Sequence, residues 1–162
     1  MAKQSAWFTR IIATVAFAAL AFLIVALVSS LSGCVGAPKS VQQVETMGED
    51  EFEAWARRVE AWAGVAGYTA VKQGADAEKV MVFCGALSAV TDTTGDPLGA
   101  AASLAGLDEP IVALLVLEAQ ALLDARGGLP GGSRGLDLLH RIAGAVAHGA
   151  AKAAAIDTEE GG

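Results

Sequence analysis

Hydrophobic positions along the chain change their rhythm once. From Ile11 to Val28 no charged side chain occurs over 18 residues, whereas after Glu49 large apolar residues recur three and four apart with charges between them. Phe52, Trp55, Val59, Trp62 and Ala66 keep a 3-4-3-4 spacing, which a 3.6-residue period gathers on one stripe of an amphipathic helix running to about Gln73. Thr46 and Glu49 fit a capping box at its start, and Glu49, Asp50 and Glu51 set negative charge against the partial positive charge of the first turn. Glu53, Arg57 and Glu60 fall on the opposite side at spacings that allow ion pairs.

Further elements follow from similar punctuation. Asp76 is the expected N-cap of a second helix to about Val90, apolar nearly all round and therefore central. After a turn at 91–95, Asp96 and Pro97 supply N-cap and N1 of a short helix ending near Gly106. Asp108, Glu109 and Pro110 open another, to about Arg126, closed by Gly127 and Gly128. Ser133 caps the last, from about Arg134 to Ala155, with Leu136, Leu139, Ala143, Val146 and Ala150 as its stripe. No segment alternates with period two. The pattern predicts an all-α fold, a small helical bundle of four longer helices and one short one, after an N-terminal signal or anchor helix. The helical domain spans 49–155, and 156–162 reads as a polar, disordered tail. Residues 34–48, with Gly36, Pro38, Ser40 and no apolar periodicity from 35 to 45, read as a flexible tether.

Composition narrows the classes of partner. The net charge is −7 with 11 Lys and Arg, so the chain repels phosphate backbones, and nucleic acid is excluded as an expected partner. The same sign argues against electrostatic attachment to anionic lipid. Ala and Gly together supply a third of the residues, so the 54% hydrophobic fraction overstates core-forming power. Small side chains at helix contacts predict close approach of the helix axes.

The first segment has the three parts of an export signal. Lys3 and Arg10 precede the apolar run, and Leu31-Ser32-Gly33-Cys34 follows it. That ending resembles the lipobox of bacterial lipoproteins, and the resemblance covers residues 1–34 only. It implies that the Cys34 thiol receives a diacylglyceryl group, that a peptidase recognising Leu31, Ser32 and Gly33 cuts before Cys34, and that residues 1–33 are removed. Each buried methylene contributes roughly 0.8 kcal/mol, so two or three acyl chains hold a protein firmly where one holds it marginally. Loss of Lys3 and Arg10 leaves the remaining chain two charges more negative than −7. Val35, rather than Asp, after the cysteine implies the outer membrane if the source is Gram-negative. The alternative is an uncleaved single-pass helix, since 18 residues lie within the roughly 17–25 that span a bilayer. Either way the positive-inside bias carries the domain away from the cytoplasm.

Candidate chemistry is sparse. His140 and His148 are eight residues apart on one helix, about 12 Å along the axis, too far to share a metal. His140, at the edge of the apolar stripe, is the one histidine placed to act as a general base, with Glu118 as its possible carboxylate. His148 reads as solvated. Glu118 itself reads as exposed at the rim of the bundle. Cys84, in the apolar run Val80-Met81-Val82-Phe83-Cys84, reads as a small buried hydrophobe. The run Gly127–Gly135 lacks the Lys-Ser/Thr of a phosphate loop, and Asp92, Thr94 and Asp96 lack the terminal Glu of a calcium loop. Ser103 lacks the glycines of a nucleophile elbow. No cofactor and no metal site are expected. Trp55 and Trp62, two turns apart, either pack in the core or line a ligand cleft.

The expected function is a non-enzymatic, lipid-anchored module of the cell envelope, structural or binding a protein partner. A carrier or sensor of a small apolar ligand held near Trp55 and Trp62 is the alternative.

Overall fold

A computed structural model of the chain describes residues 41–92, 96–106, 117, 120, 121 and 132–160. Five helices lie among them: α1 (Val41–Thr46), α2 (Glu49–Lys72), α3 (Ala77–Ser88), α4 (Pro97–Leu104) and α5 (Gly132–Glu160). No strand occurs among the described residues, and the fold is a small all-α bundle. The lipobox-like segment with Leu31, Ser32, Gly33 and Cys34 lies outside the described residues, as do Glu118 and most of the helix expected over 110–126. Leu117, Gln120 and Ala121, within that span, are helical. Among the described residues no helix is long and apolar enough to cross a membrane.

Several helix ends follow the sequence. Asp76 caps α3 by accepting from the backbone N–H groups of Glu78 and Lys79 at 3.0 and 3.3 Å, and Asp96 caps α4 by accepting from Gly99 at 2.7 Å. Each satisfies a donor that the first helical turn leaves without an intrahelical partner. Gly74, at φ 101°, makes the turn between α2 and α3, a backbone conformation that costs glycine little.

Other ends differ. Thr46, expected at the N-cap of α2, closes α1 instead, and Gly48 occupies the N-cap of α2. Residues 41–46, expected within the tether, are helical because their end is held from α5. The Arg134 guanidinium donates to the carbonyls of Val44, Glu45 and Met47 at 3.2, 3.2 and 2.8 Å, and Val44 joins the core. Helix α5 begins at Gly132, so Ser133 lies inside it, and it continues to Glu160 rather than ending near Ala155 before a disordered tail.

The long helices α2 and α5 run parallel. Arg134 pairs with Glu49, Arg141 with Glu53 and Glu60, and Gly149 lies against Gly64 and Tyr68, the numbers rising together on both helices. Their seams are built from small residues: Ala56, Ala63, Ala66 and Ala70 on α2, and Ala143, Val146, Ala150 and Ala153 on α5, are all buried. Such side chains let the backbones meet. A Cβ added at Gly67 would overlap the Val146 carbonyl, and one at Gly149 would overlap the Gly64 carbonyl. Helix α3 contributes Val80, Phe83, Cys84 and Leu87 to the same core, and the ring of His140 in α5 meets the carbonyl of Val90, just past its end, at 2.9 Å.

Both expected stripes are buried except at one position each. On α2, Trp62 is 62% exposed, while Ala63 occupies the core position one residue on. On α5, Leu138 and Ile142 are buried and Leu136 is only half-buried. In both cases the neighbouring helix selects which flank of a wide apolar stripe is covered.

Candidate functional site

The tryptophan pair does not form a cleft. Trp55 is 5% exposed and packs with its ring centroid 6.0 Å from that of Phe52, whereas Trp62 faces outward on the same helix. The indole N–H of Trp55 has no hydrogen-bond partner among the described residues. A ligand site shared by the two indoles is therefore corrected: one belongs to the core and the other to the surface.

An ionic ladder and a groove share one flank of the α2–α5 pair. At its N-terminal end Arg141 gathers three carboxylates. It meets Glu53 at 2.5 and 3.1 Å in a two-pronged contact, Asp137 at 2.8 Å and Glu60 at 4.0 Å. Hydrogen bonding to Arg141 holds the Glu53 carboxyl below its usual range and raises the guanidinium of Arg141. A depressed carboxyl contributes stability above its unfolded-state pKa, and that contribution is lost as pH falls through the folded-state value. Arg57 adds a looser contact to Glu53 at 3.9 Å, at the i, i+4 spacing legible in the sequence.

Beyond this ladder the flank opens into a groove of about 890 Å³. Its floor is Gly64 and Gly149, where the helices touch, and its walls include Ala61, Val65 and Tyr68 from α2 and Ala145 from α5. Small side chains spaced one turn apart leave the space, because nothing beyond a methyl group projects into it from the glycine and alanine positions. Glu60 lies at the ladder end, and Lys152 and Ile156 lie toward the other end. His148, on the groove wall between them, is exposed as the sequence suggests. Val65 is 59% exposed and Trp62, three residues before it, 62%, so large apolar surface continues from the groove wall around α2.

The remaining candidates are dispersed. His140 is half-buried and one of its ring nitrogens is engaged by the Val90 carbonyl, which ties α5 to the end of α3. Cys84 is buried, and desolvation pushes its thiol up to about 12, so it stays protonated as a core side chain. Asp92 and Asp96 are exposed, Asp96 serving as a helix cap, and Thr94 lies outside the described residues. Ser103 is exposed near the end of α4. Among the described residues no group of three or more His, Cys, Asp or Glu is placed to hold a metal ion.

The groove itself left little trace in the sequence. Its one legible signal is the repeat of small or polar residues one turn apart, Gly144-His148-Lys152 on α5 and Glu60-Gly64-Tyr68 on α2, on the flank of each apolar stripe. No protein-family model matches this chain, and no curated protein and no solved structure matches it.

Proposed function

We propose that the chain is a non-enzymatic helical module, fastened by acyl chains on Cys34 to the outer side of a bacterial membrane, that works by binding protein in the cell envelope. The observation that carries the binding role is the exposed apolar surface of α2, Trp62 and Val65, beside the open groove against α5. Exposed aromatic residues next to a concave apolar surface are the usual anchors of protein interfaces. The anchor reading rests on the order of segments in residues 1–34: basic start, apolar run, small residues, cysteine.

The test is capture of partners from detergent-solubilised envelopes with the tagged full chain and its Trp62→Ala variant. Trp62 is exposed, so truncation leaves the core intact. A reproducible partner whose recovery falls by at least about tenfold in the variant is the expected outcome. No reproducible partner, or equal recovery with the variant, contradicts the binding role.

A further inference from the structure

We propose that the groove between α2 and α5 is the interface between two copies of this chain, related by a two-fold axis that crosses the helix pair at right angles. The pairing rests on reading this surface as a protein-docking site, and it names the partner. Its ground is the distribution of charge along the groove.

Glu60 stands at one end and Lys152 toward the other. Because Gly149 lies against the backbone of Gly64 and Tyr68, Lys152 falls level with about residues 67–71 of α2, beyond Glu60 by roughly 10–16 Å along the axis at 1.5 Å per residue. The two side chains of one copy therefore do not meet. A perpendicular two-fold axis exchanges the ends, so Glu60 of one copy faces Lys152 of the second copy, and the reverse contact forms by symmetry.

Neither group has a better partner among the described residues. Glu60 reaches Arg141 only at 4.0 Å, and that guanidinium already serves Glu53 and Asp137 more closely. Lys152 makes no ion pair among the described residues. Among the residues that line the groove, Glu60 is the one carboxylate and Lys152 the one ammonium, and they stand toward opposite ends. Self-docking matches each end with its opposite.

Backbone electrostatics point the same way. Two parallel helices add their macrodipoles, leaving roughly half a positive charge per helix at one end and half a negative charge at the other. An antiparallel second pair opposes them. The product is a four-helix arrangement of α2 and α5 from each copy, with Ala61, Gly64, Val65 and Ala145 at the centre and the charged groups at the rim, the distribution expected of an interface. Small central residues let the two pairs approach closely.

The experiment is detergent-corrected mass measurement of the full chain across a concentration series, with Glu60→Lys, Lys152→Glu and an equal mixture of the two. Wild type is expected at twice the chain mass. Each single variant places like charges at both symmetry-related contacts and is expected to lower dimer affinity by at least about tenfold. In the mixture every contact again joins opposite charges, so dimer returns, made of one copy of each variant. Both positions have solvent-accessible side chains, and unchanged far-ultraviolet circular dichroism establishes that each variant is folded. A wild type that stays monomeric overturns the pairing, as do single variants that dimerise like wild type or a mixture that stays monomeric. If wild type is monomeric yet a different envelope protein is captured and lost with Trp62→Ala, the pairing falls and the binding role stands. If both measurements are negative, both fall.

Discussion

Replacing Gly149 by valine is expected to lower the stability of the helical domain by about 3 kcal/mol or more. A Cβ at that position overlaps the Gly64 carbonyl and comes within 2.9 Å of the Tyr68 backbone nitrogen. Both obstacles are backbone of a 24-residue helix, not the free end of a side chain, so relief requires α2 and α5 to separate. Separation strips contacts from the alanine seam, where Ala63 and Ala150 are fully buried, and dispersion falls off steeply with each fraction of an ångström. Gly67→Val, which meets the Val146 carbonyl, has the same consequence from the other helix. Gly144→Ala is the control. A Cβ there meets nothing within 4 Å, and alanine is the better helix former by roughly 0.5–1 kcal/mol, so this variant is expected to be neutral or more stable. Urea denaturation followed by circular dichroism distinguishes the variants, and equal midpoints for Gly149→Val and Gly144→Ala contradict close backbone contact between α2 and α5.

Phe52→Ala is expected to cost about 4 kcal/mol, within the range for removing a buried aromatic ring. Phe52 is 3% exposed, lies beside Trp55, and has the Arg134 guanidinium 5.2 Å from its ring centroid. That guanidinium holds the end of α1 through three carbonyls and also pairs with Glu49 at 3.2 Å. The ring therefore supports both a core and a junction. Natural domains are stable by only about 5–15 kcal/mol, so a loss of this size leaves the fold marginal. Arg134→Met removes the junction contacts while the ring stays in place, and a smaller loss is expected. If denaturant midpoints show the order reversed, the ring is not the main support at that end.

Local signals in the sequence located α2, α3, α4 and the body of α5, but neither α1 nor the way the helices pair. Asp76 and Asp96 act on backbone groups two or three residues away, so their caps were legible directly. The acidic first turn of α2 at Glu49, Asp50 and Glu51 was legible for the same reason. The outward placement of Trp62 on α2 was not, although Phe52, Trp55, Val59 and Ala66 of the expected stripe are buried. Phe52-Trp55-Val59-Trp62-Ala66 and Phe52-Ala56-Val59-Ala63-Ala66 both follow three-four spacing, and the larger residues suggested the first set. The close packing of α5 selects alanine at 63 and leaves Trp62 outside, because backbone contact at Gly67 and Gly149 leaves no space in the seam for an indole at that position. The two-pronged contact between Arg141 and Glu53 spans 88 positions in sequence, beyond the reach of any periodicity. Parallel packing of α2 against α5, which creates the groove and aligns its charged ends, is likewise a property of the pair and not of either helix. Close approach of the helices, in contrast, was foreseeable from the abundance of Ala and Gly.

Membrane attachment through Cys34 underlies the role proposed for this domain, and intact-mass spectrometry of the chain extracted from membranes tests it most directly. The expected result is a polypeptide that begins at Cys34 and carries the added mass of two or three acyl chains. A polypeptide that retains Met1, with the Cys34 thiol unmodified, contradicts it.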